Sequence, residues 1–182
     1  HVPVLLHEVI DVLDLSNKKH IIDGTLGDGG HSEAILEATN PDGRLLGIDT
    51  DPESLLRAKQ YLHPFEGRTV FVRDNFVAIK DIVVATGFDP VDGILLDLGW
   101  STPQFADRGR GFSFELDEPL DMRLSGESDS TRMTAAEILN TASVEAVYEV
   151  LYRYGEEKFA KEIAIAVGTK RKEKPFERTI EF

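Results

Sequence analysis

The sequence predicts an α/β protein built on a doubly wound, Rossmann-like parallel sheet. Short apolar runs alternate with longer segments in which apolar residues recur at helical spacing. Apolar runs without polar alternation are typical of strands buried on both faces of a parallel sheet. A glycine-rich segment directly after the first run marks a turn from a strand into a helix. Alternation of strands and helices implies crossover connections, which favour the doubly wound arrangement.

Four apolar runs are predicted as the first strands of this sheet, and three of them end on an aspartate. They are the segments 20–23, 44–49, 69–73 and 91–97. The terminal acids are Asp23, Asp49 and Asp97. In a doubly wound sheet the fourth strand lies beside the first, so these carboxylates are expected at one edge, where open α/β sheets bind ligands.

Helices are predicted between the strands and again in the C-terminal part of the chain. Asp51 followed by Pro52 is a helix start, with an acid as N-cap and proline at the first helical position. Thr134 and Glu137 form a capping-box pattern. The predicted helices are 31–38, 52–62 and 75–86, and then three that begin at 134, 143 and 156 after an irregular stretch. We expect residues 1–104 to form the cofactor-binding part and residues 105–182 a loop and helical insertion.

Composition limits the function. The chain has no cysteine, which excludes a disulfide scaffold and a cysteine-ligated metal and fits a reducing, cytoplasmic setting. No apolar run is long enough to cross a bilayer, and the first residues do not resemble a signal peptide. The net charge of −13 counts against nucleic-acid binding. Lysine and arginine do gather near the C-terminus, but from charge alone a solvated helix face is the favoured explanation.

The glycine segment predicts a cofactor site. Asp23-x-x-x-Gly27-x-Gly29 follows the first strand, and Asp49 lies 20 residues past Gly29, where an acid can bind the ribose hydroxyls of an adenosine cofactor. A dinucleotide fingerprint needs a third glycine, but Ser32 stands there. Acids around the loop, Asp23, Asp28 and Asp97, would attract a cationic sulfonium and repel a pyrophosphate. We therefore favour S-adenosylmethionine over a dinucleotide; a bare strand–helix turn is the alternative.

The segment that begins at Asp97 is the predicted reaction centre. Methylation of an exocyclic amine needs an acceptor that holds an N–H and aims the nitrogen lone pair, and a carboxylate or a backbone carbonyl suits that role. Asp97 and Ser101 are the predicted catalytic residues, although an acid here is also a common turn or cap residue. Further on, Arg110 and Arg123 with nearby phenylalanines predict either RNA contacts or ordinary loop packing, with nothing to separate the two.

Ordered motifs along the whole chain resemble one known family. They are Gly27-x-Gly29-Gly30-His31-Ser32, Asp97-Leu98-Gly99-x-Ser101-x-Pro103-Gln104, Arg110-Gly111-Phe112-Ser113-Phe114, Pro119-Leu120-Asp121-Met122-Arg123 and Tyr154-Gly155-Glu156-Glu157-Lys158-Phe159-Ala160. This pattern is similar to that of the bacterial small-subunit ribosomal RNA cytosine-N4 methyltransferases.

The resemblance implies a class I methyltransferase fold with a helical insertion after the fourth strand. It implies methyl transfer from S-adenosylmethionine to the N4 amine of a cytidine in small-subunit ribosomal RNA, with the RNA or the small ribosomal subunit as partner. Separately, we expect a homodimer and no metal. The cofactor contacts that the resemblance carries over are Gly29, Gly30, His31, Asp49, Phe76, Asp97 and Gln104.

Two departures from the family pattern bear on function. Trp100 and Thr102 stand where the family has smaller residues, which affects the expected fit of the substrate more than the cofactor site. Family members are also longer and have a seven-stranded sheet, whose remaining strands we expect beside the fourth. Two alternatives to a methyltransferase stay open. One is a binding module without turnover, which the missing part of the sheet suggests. The other is a nucleotide-dependent oxidoreductase, and Ser32 and the acids near the loop argue against it.

Overall fold

Four parallel strands form the sheet at the centre of the first part of the chain. A computed structural model describes residues 3–99, 109–125 and 131–182, and the chain divides into two units, His1–Gly99 and Trp100–Phe182. The strands are β1 (His20–Asp23), β2 (Arg44–Asp49), β3 (Thr69–Arg73) and β4 (Gly93–Leu95), in the order β3-β2-β1-β4. The predicted parallel α/β sheet is confirmed.

The fourth strand is shorter than the predicted segment 91–97. Before it, the Asp92 carboxylate accepts the backbone N–H groups of Lys19 and His20, at 2.8 and 2.9 Å, and the Asp92 N–H donates to the His20 carbonyl at 2.8 Å. After it, the Asp97 N–H donates to the Thr25 hydroxyl at 2.7 Å. Asp97 therefore lies two residues beyond β4 rather than at its end. Among the described residues β4 pairs with β1 alone and Ile94 is 49% exposed, so the expected burial on both faces is wrong for this strand.

Helices cover both faces of the sheet. They are α1 (Leu6–Leu13), α2 (Gly30–Ala38), α3 (Pro52–Tyr61) and α4 (Ile79–Thr86). The Asp51 carboxylate accepts the Glu53 N–H at 3.0 Å, which confirms the predicted N-cap of α3. The predicted helix 75–86 begins instead as a 3-10 turn, Phe76–Ala78, and becomes α-helical at α4.

Alternate residues of the central strands supply two cores. Ile21 and Leu45 pack with side chains of α2 and α3 on one face. Ile22 and Leu46 pack with Ile82 of α4 on the other face. All of these side chains are buried. Because successive strand residues point to opposite faces, β1 and β2 need apolar residues throughout, which explains the uninterrupted runs in the sequence.

The second unit contains three described helices, α5 (Ala135–Thr141), α6 (Val144–Arg153) and α7 (Ala160–Lys170). The capping box of Thr134 and Glu137 is confirmed, with both reciprocal bonds present. The last helix begins four residues later than the predicted start at Glu156. Glu156 has a left-handed backbone (φ 50°), and the next residue, Glu157, donates its N–H back to Leu151. The chain thus closes α6 before α7 begins.

The segment 109–125 is held by its own arginines. Arg123 makes two hydrogen bonds of 2.6 Å to the carboxylate of Asp121, and both side chains are nearly buried. Arg110 donates to the backbone carbonyl of Leu124 at 3.0 Å. These contacts favour loop packing over direct RNA contact for both arginines. The boundary between 104 and 105 lies outside the described residues and stays a prediction.

Candidate cofactor site

The glycine loop between β1 and α2 has a backbone that only glycine adopts without strain. Gly27 (φ +53°) and Gly29 (φ +93°) are both left-handed, and Gly29 is the N-cap of α2. A Cβ on Gly29 would stand 3.1 Å from Cδ1 of Leu62 and 3.6 Å from Cβ of Ala58. The loop is therefore pressed against the end of α3, and its path is set by close packing as well as by backbone conformation.

Asp23 fixes the start of the glycine loop and the start of α2 by hydrogen bonds. Its carboxylate is fully buried and accepts the Ser32 hydroxyl at 2.7 Å and the Thr25 N–H at 3.1 Å. Burial raises the pKa of the Asp23 carboxyl, and these two hydrogen bonds oppose the rise. One oxygen binds the loop at Thr25 and the other binds α2 at Ser32, so Asp23 acts on the loop's geometry. Asp28, another acid expected around the cofactor's cation, forms a 2.9 Å ion pair with Arg57.

Asp49 and Asp97 occupy equivalent positions on either side of β1. Asp23 pairs in register with Gly47 of β2 and Leu95 of β4, and each of the two acids lies two residues beyond its register partner. Both carboxylates therefore stand past the carboxyl edge of the sheet, flanking the glycine loop. This is the edge at which open α/β sheets bind ligands.

Asp49 is tied to the loop by hydrogen bonds. Its Oδ2 accepts the Gly27 N–H and its Oδ1 accepts the Asp51 N–H, both at 2.9 Å. Burial is the main cause of the raised pKa of the Asp49 carboxyl, and the negative charge of Asp28 adds to it. Each carboxylate oxygen has a further lone pair, so Asp49 can accept ribose hydroxyls while it keeps the loop in place.

His31 links the N-terminal segment to Asp97. The imidazole is nearly buried, and its Nε2 lies 2.9 Å from the backbone carbonyl oxygen of Val4. Because a carbonyl only accepts, we assign the hydrogen to Nε2. Nδ1 then faces Oδ2 of Asp97 at 3.7 Å. The Asp97 side chain is 51% exposed, which leaves its carboxylate accessible to a substrate.

Five of the predicted site residues meet at this edge of the sheet: Gly29, Gly30, His31, Asp49 and Asp97. Phe76 begins the turn after β3, and its Cβ would be 3.2 Å from a Cβ on Gly24, so it packs over the start of the loop. Ser101 and Gln104 lie outside the described residues. The roles that all these residues have in binding or catalysis stay predictions.

Three contributors to the site were not predicted from the sequence: Val4, Thr25 and Arg57. Thr25 offered a weak signal, since an Asp two residues before a loop residue commonly accepts that residue's N–H. The Val4 carbonyl and Arg57 gave no signal in the sequence, because they reach His31 and Asp28 from distant parts of the chain. Among the described residues, no group of three or more His, Asp or Glu side chains is arranged to hold a metal ion.

The residues present suit an adenosine cofactor that carries a cation. The loop offers space beside Gly27, where a Cβ would have nothing closer than 3.9 Å. Ser32 is fully buried and bonded to Asp23, so a side chain fills the position that a dinucleotide fingerprint keeps as glycine for close packing of helix on strand. Carboxylates at Asp49 and Asp97 favour a positively charged ligand.

The parallel sheet, the glycine loop and the paired acids define a Rossmann-like domain of the class I methyltransferase type. A model of the MraW methylase family matches residues 1–182. The chain belongs to that family, whose members use S-adenosylmethionine as methyl donor.

Curated relatives agree with this assignment. Proteins named ribosomal RNA small subunit methyltransferase H from Syntrophobacter fumaroxidans, Carboxydothermus hydrogenoformans and Dehalococcoides mccartyi are 41%, 43% and 44% identical to the chain. Each similarity covers 100% of this chain but 56%, 57% and 50% of the relative. The chain thus spans about half the length of the relatives that it matches. Within the described residues, no helix is long and apolar enough to span a membrane.

Proposed function

We propose that this chain belongs to an enzyme that transfers a methyl group from S-adenosylmethionine to the N4 amine of a cytidine in small-subunit ribosomal RNA. The observation that carries the proposal is the pair of carboxylates, Asp49 and Asp97, on either side of the glycine loop. The names of the relatives support ribosomal RNA as the substrate. The predicted homodimer and cytoplasmic location belong to the same proposal.

The division of work follows from the surroundings of the two acids. When bound, the cofactor supplies an electrophilic methyl group on a sulfonium sulfur. Asp49, half-buried and hydrogen-bonded to the loop, would accept the ribose hydroxyls. Asp97 is accessible and would accept one N–H of the cytosine amine, which turns the nitrogen lone pair toward the methyl carbon.

The transfer makes an N–C bond and breaks the C–S bond, and the amine nitrogen then gives up a proton. Asp97 is the acceptor that we assign to this proton, with solvent as its outlet, because half of its side chain is exposed. The Thr25 hydroxyl fixes the backbone of Asp97 through its 2.7 Å bond. The carboxylate is thereby kept beside the loop during the reaction.

The test uses full-length protein, labelled S-adenosylmethionine and small ribosomal subunits that lack the modification. Asp97→Ala should abolish transfer and weaken cofactor binding only moderately. Asp49→Ala should mainly weaken cofactor binding, by about 1–3 kcal/mol, since two hydroxyls lose their acceptor. Asp42→Ala, an exposed acid paired with Lys19 at the opposite end of the strands, is the matched control.

Two results would contradict the proposal. If the full-length protein transfers no label to the RNA, the substrate is wrong. If both site variants weaken binding equally and leave turnover of the bound complex intact, the two roles are misassigned. A second candidate, a module that binds cofactor or RNA without turnover, is motivated by the half-length match to the relatives. Calorimetric binding by residues 1–182 without any transfer would favour it.

A further inference from the structure

We propose that Arg57 of α3 is a positioning residue of the cofactor site, which fixes the glycine loop by holding Asp28. The inference rests on the proposed function in one respect, because the ligand used to test it is S-adenosylmethionine. Arg57 contacts Asp28, one of the acids predicted around the cofactor's cation. Its effect is transmitted through the loop.

Thr25 and Leu26 anchor the first part of the loop, and in the glycine-rich stretch that follows, Asp28 is the side chain by which other parts of the molecule can hold it. Of the four consecutive residues 27–30, three are glycines, and Asp28 is the exception. Glycine is the most conformationally free residue, so such a stretch needs external contacts to keep one shape. Arg57 Nε donates to Oδ1 of Asp28 at 2.9 Å. Asp28 lies directly between the two left-handed residues, Gly27 and Gly29.

The same ion pair controls the charge beside Asp49. The negative charge of Asp28 adds to the raised pKa of the Asp49 carboxyl, of which burial is the main cause. The guanidinium of Arg57 offsets that charge. Without it, an uncompensated carboxylate would stand near the acid that is expected to bind the ribose. Arg57 therefore stabilises the shape of the loop and places a positive charge against the carboxylate that lies next to the expected ribose-binding acid.

The pair should matter more for binding than for folding. The side chains of Arg57 and Asp28 are 39% and 33% exposed, and ion pairs with this access to solvent contribute little to global stability. The core around α3 is formed by other residues, including Leu55, Ala58 and Leu62. Substitution of Arg57 should therefore leave a folded protein with a less well-defined loop.

The experiment measures S-adenosylmethionine binding to the full-length protein by isothermal titration calorimetry. We expect Arg57→Gln to raise the Kd by ~5–30-fold, the range that corresponds to the loss of one modest interaction. Arg57→Lys should recover part of the affinity, because it keeps the charge. Asp28→Ala removes the same ion pair from the loop side. The double variant should bind the cofactor no more weakly than the weaker-binding of the two single variants.

A matched control lies one turn further along the same helix. The Tyr61 hydroxyl donates to Glu33 of α2, outside the glycine loop, so Tyr61→Phe should leave the Kd unchanged. In methyl-transfer assays Arg57→Gln should raise the KM for the cofactor and leave kcat at saturating cofactor unchanged. The urea midpoint should change little in any of these variants.

The possible failures are distinguishable. If Arg57→Gln binds like wild type, or if the effects of Arg57→Gln and Asp28→Ala add fully, the positioning role is wrong. A lower kcat with an unchanged KM would also overturn it. If the wild-type protein itself does not bind S-adenosylmethionine, the proposed function fails, and this inference fails with it.

Discussion

Replacement of Gly29 by alanine separates the two reasons for a glycine at this point of the loop. One reason is the backbone, because φ is +93° and a left-handed conformation costs an L-residue roughly 1–2 kcal/mol. The other is space, because the new Cβ would lie 3.1 and 3.2 Å from Cδ1 and Cγ of Leu62. Leu62 is 1% exposed and has little room to move, so overpacking should add about 1–3 kcal/mol.

Gly67 supplies the matched control. Its φ is +89°, almost the same as that of Gly29, but a Cβ there would meet nothing within 4 Å. Gly67→Ala should therefore lower the free energy of unfolding by about 1–2 kcal/mol, from backbone strain alone. Gly29→Ala should lower it by about 2–5 kcal/mol, the sum of both costs.

Urea unfolding followed by far-ultraviolet circular dichroism measures both losses, and calorimetry measures S-adenosylmethionine binding. Gly29→Ala should bind the cofactor more weakly, whereas Gly67→Ala, at the amino end of β3, should bind like wild type. Equal losses of stability would show that Leu62 yields and that the packing argument is wrong. Unchanged cofactor affinity in Gly29→Ala would show that the shape of this loop does not determine binding.

Two further predictions concern stability and its dependence on pH. Asp121→Asn should lower the free energy of unfolding by roughly 2–4 kcal/mol at neutral pH, because Arg123 loses its carboxylate. That ion pair holds the pKa of Asp121 below 3.8. The loss of stability in Asp121→Asn, measured by urea unfolding at a series of pH values, should therefore persist down to pH 3.8 and shrink only below it. Ser32→Ala should cost about 1–3 kcal/mol at neutral pH, because the buried Asp23 carboxylate loses a donor. The folded pKa of Asp23 is raised, so the stability that Ser32→Ala loses should already shrink at pH values above 3.8. For either variant, a loss of stability that grows on acidification would contradict the assignment.

Much of the sheet could be predicted because its strands are marked at both ends. Three strands have the predicted bounds, since turn residues or acids flank each apolar run. The fourth does not, because the Asp92 carboxylate takes the N–H groups of Lys19 and His20, and the Asp97 N–H bonds to the Thr25 side chain instead of continuing the ladder. Helix α1 was missed because its N-cap, Leu5, is left-handed and has no capping side chain. These differences depend on contacts between distant segments, which local patterns do not encode.

The position of the candidate site could be predicted, but the hydrogen bonds and the ion pair inside it could not. The spacing of the glycines and Asp49 located the edge of the sheet at which the loop lies. The sequence did not reveal that Asp23 is buried beneath Ser32, or that Arg57 reaches Asp28 across 29 positions. Burial and ion pairing follow from packing of α2 and α3, so they become visible only when the helices are in place.

The hydrogen bond between His31 and the Val4 carbonyl has a practical consequence for protein engineering. A group deep in the site takes its tautomer from a peptide unit close to the start of the described chain. Removing or displacing that peptide unit would release Nε2 and allow the imidazole hydrogen to move to the nitrogen that faces Asp97. Changes to the backbone around Val4 would then alter the chemistry under study, so this segment is best left untouched in variants made for kinetic work.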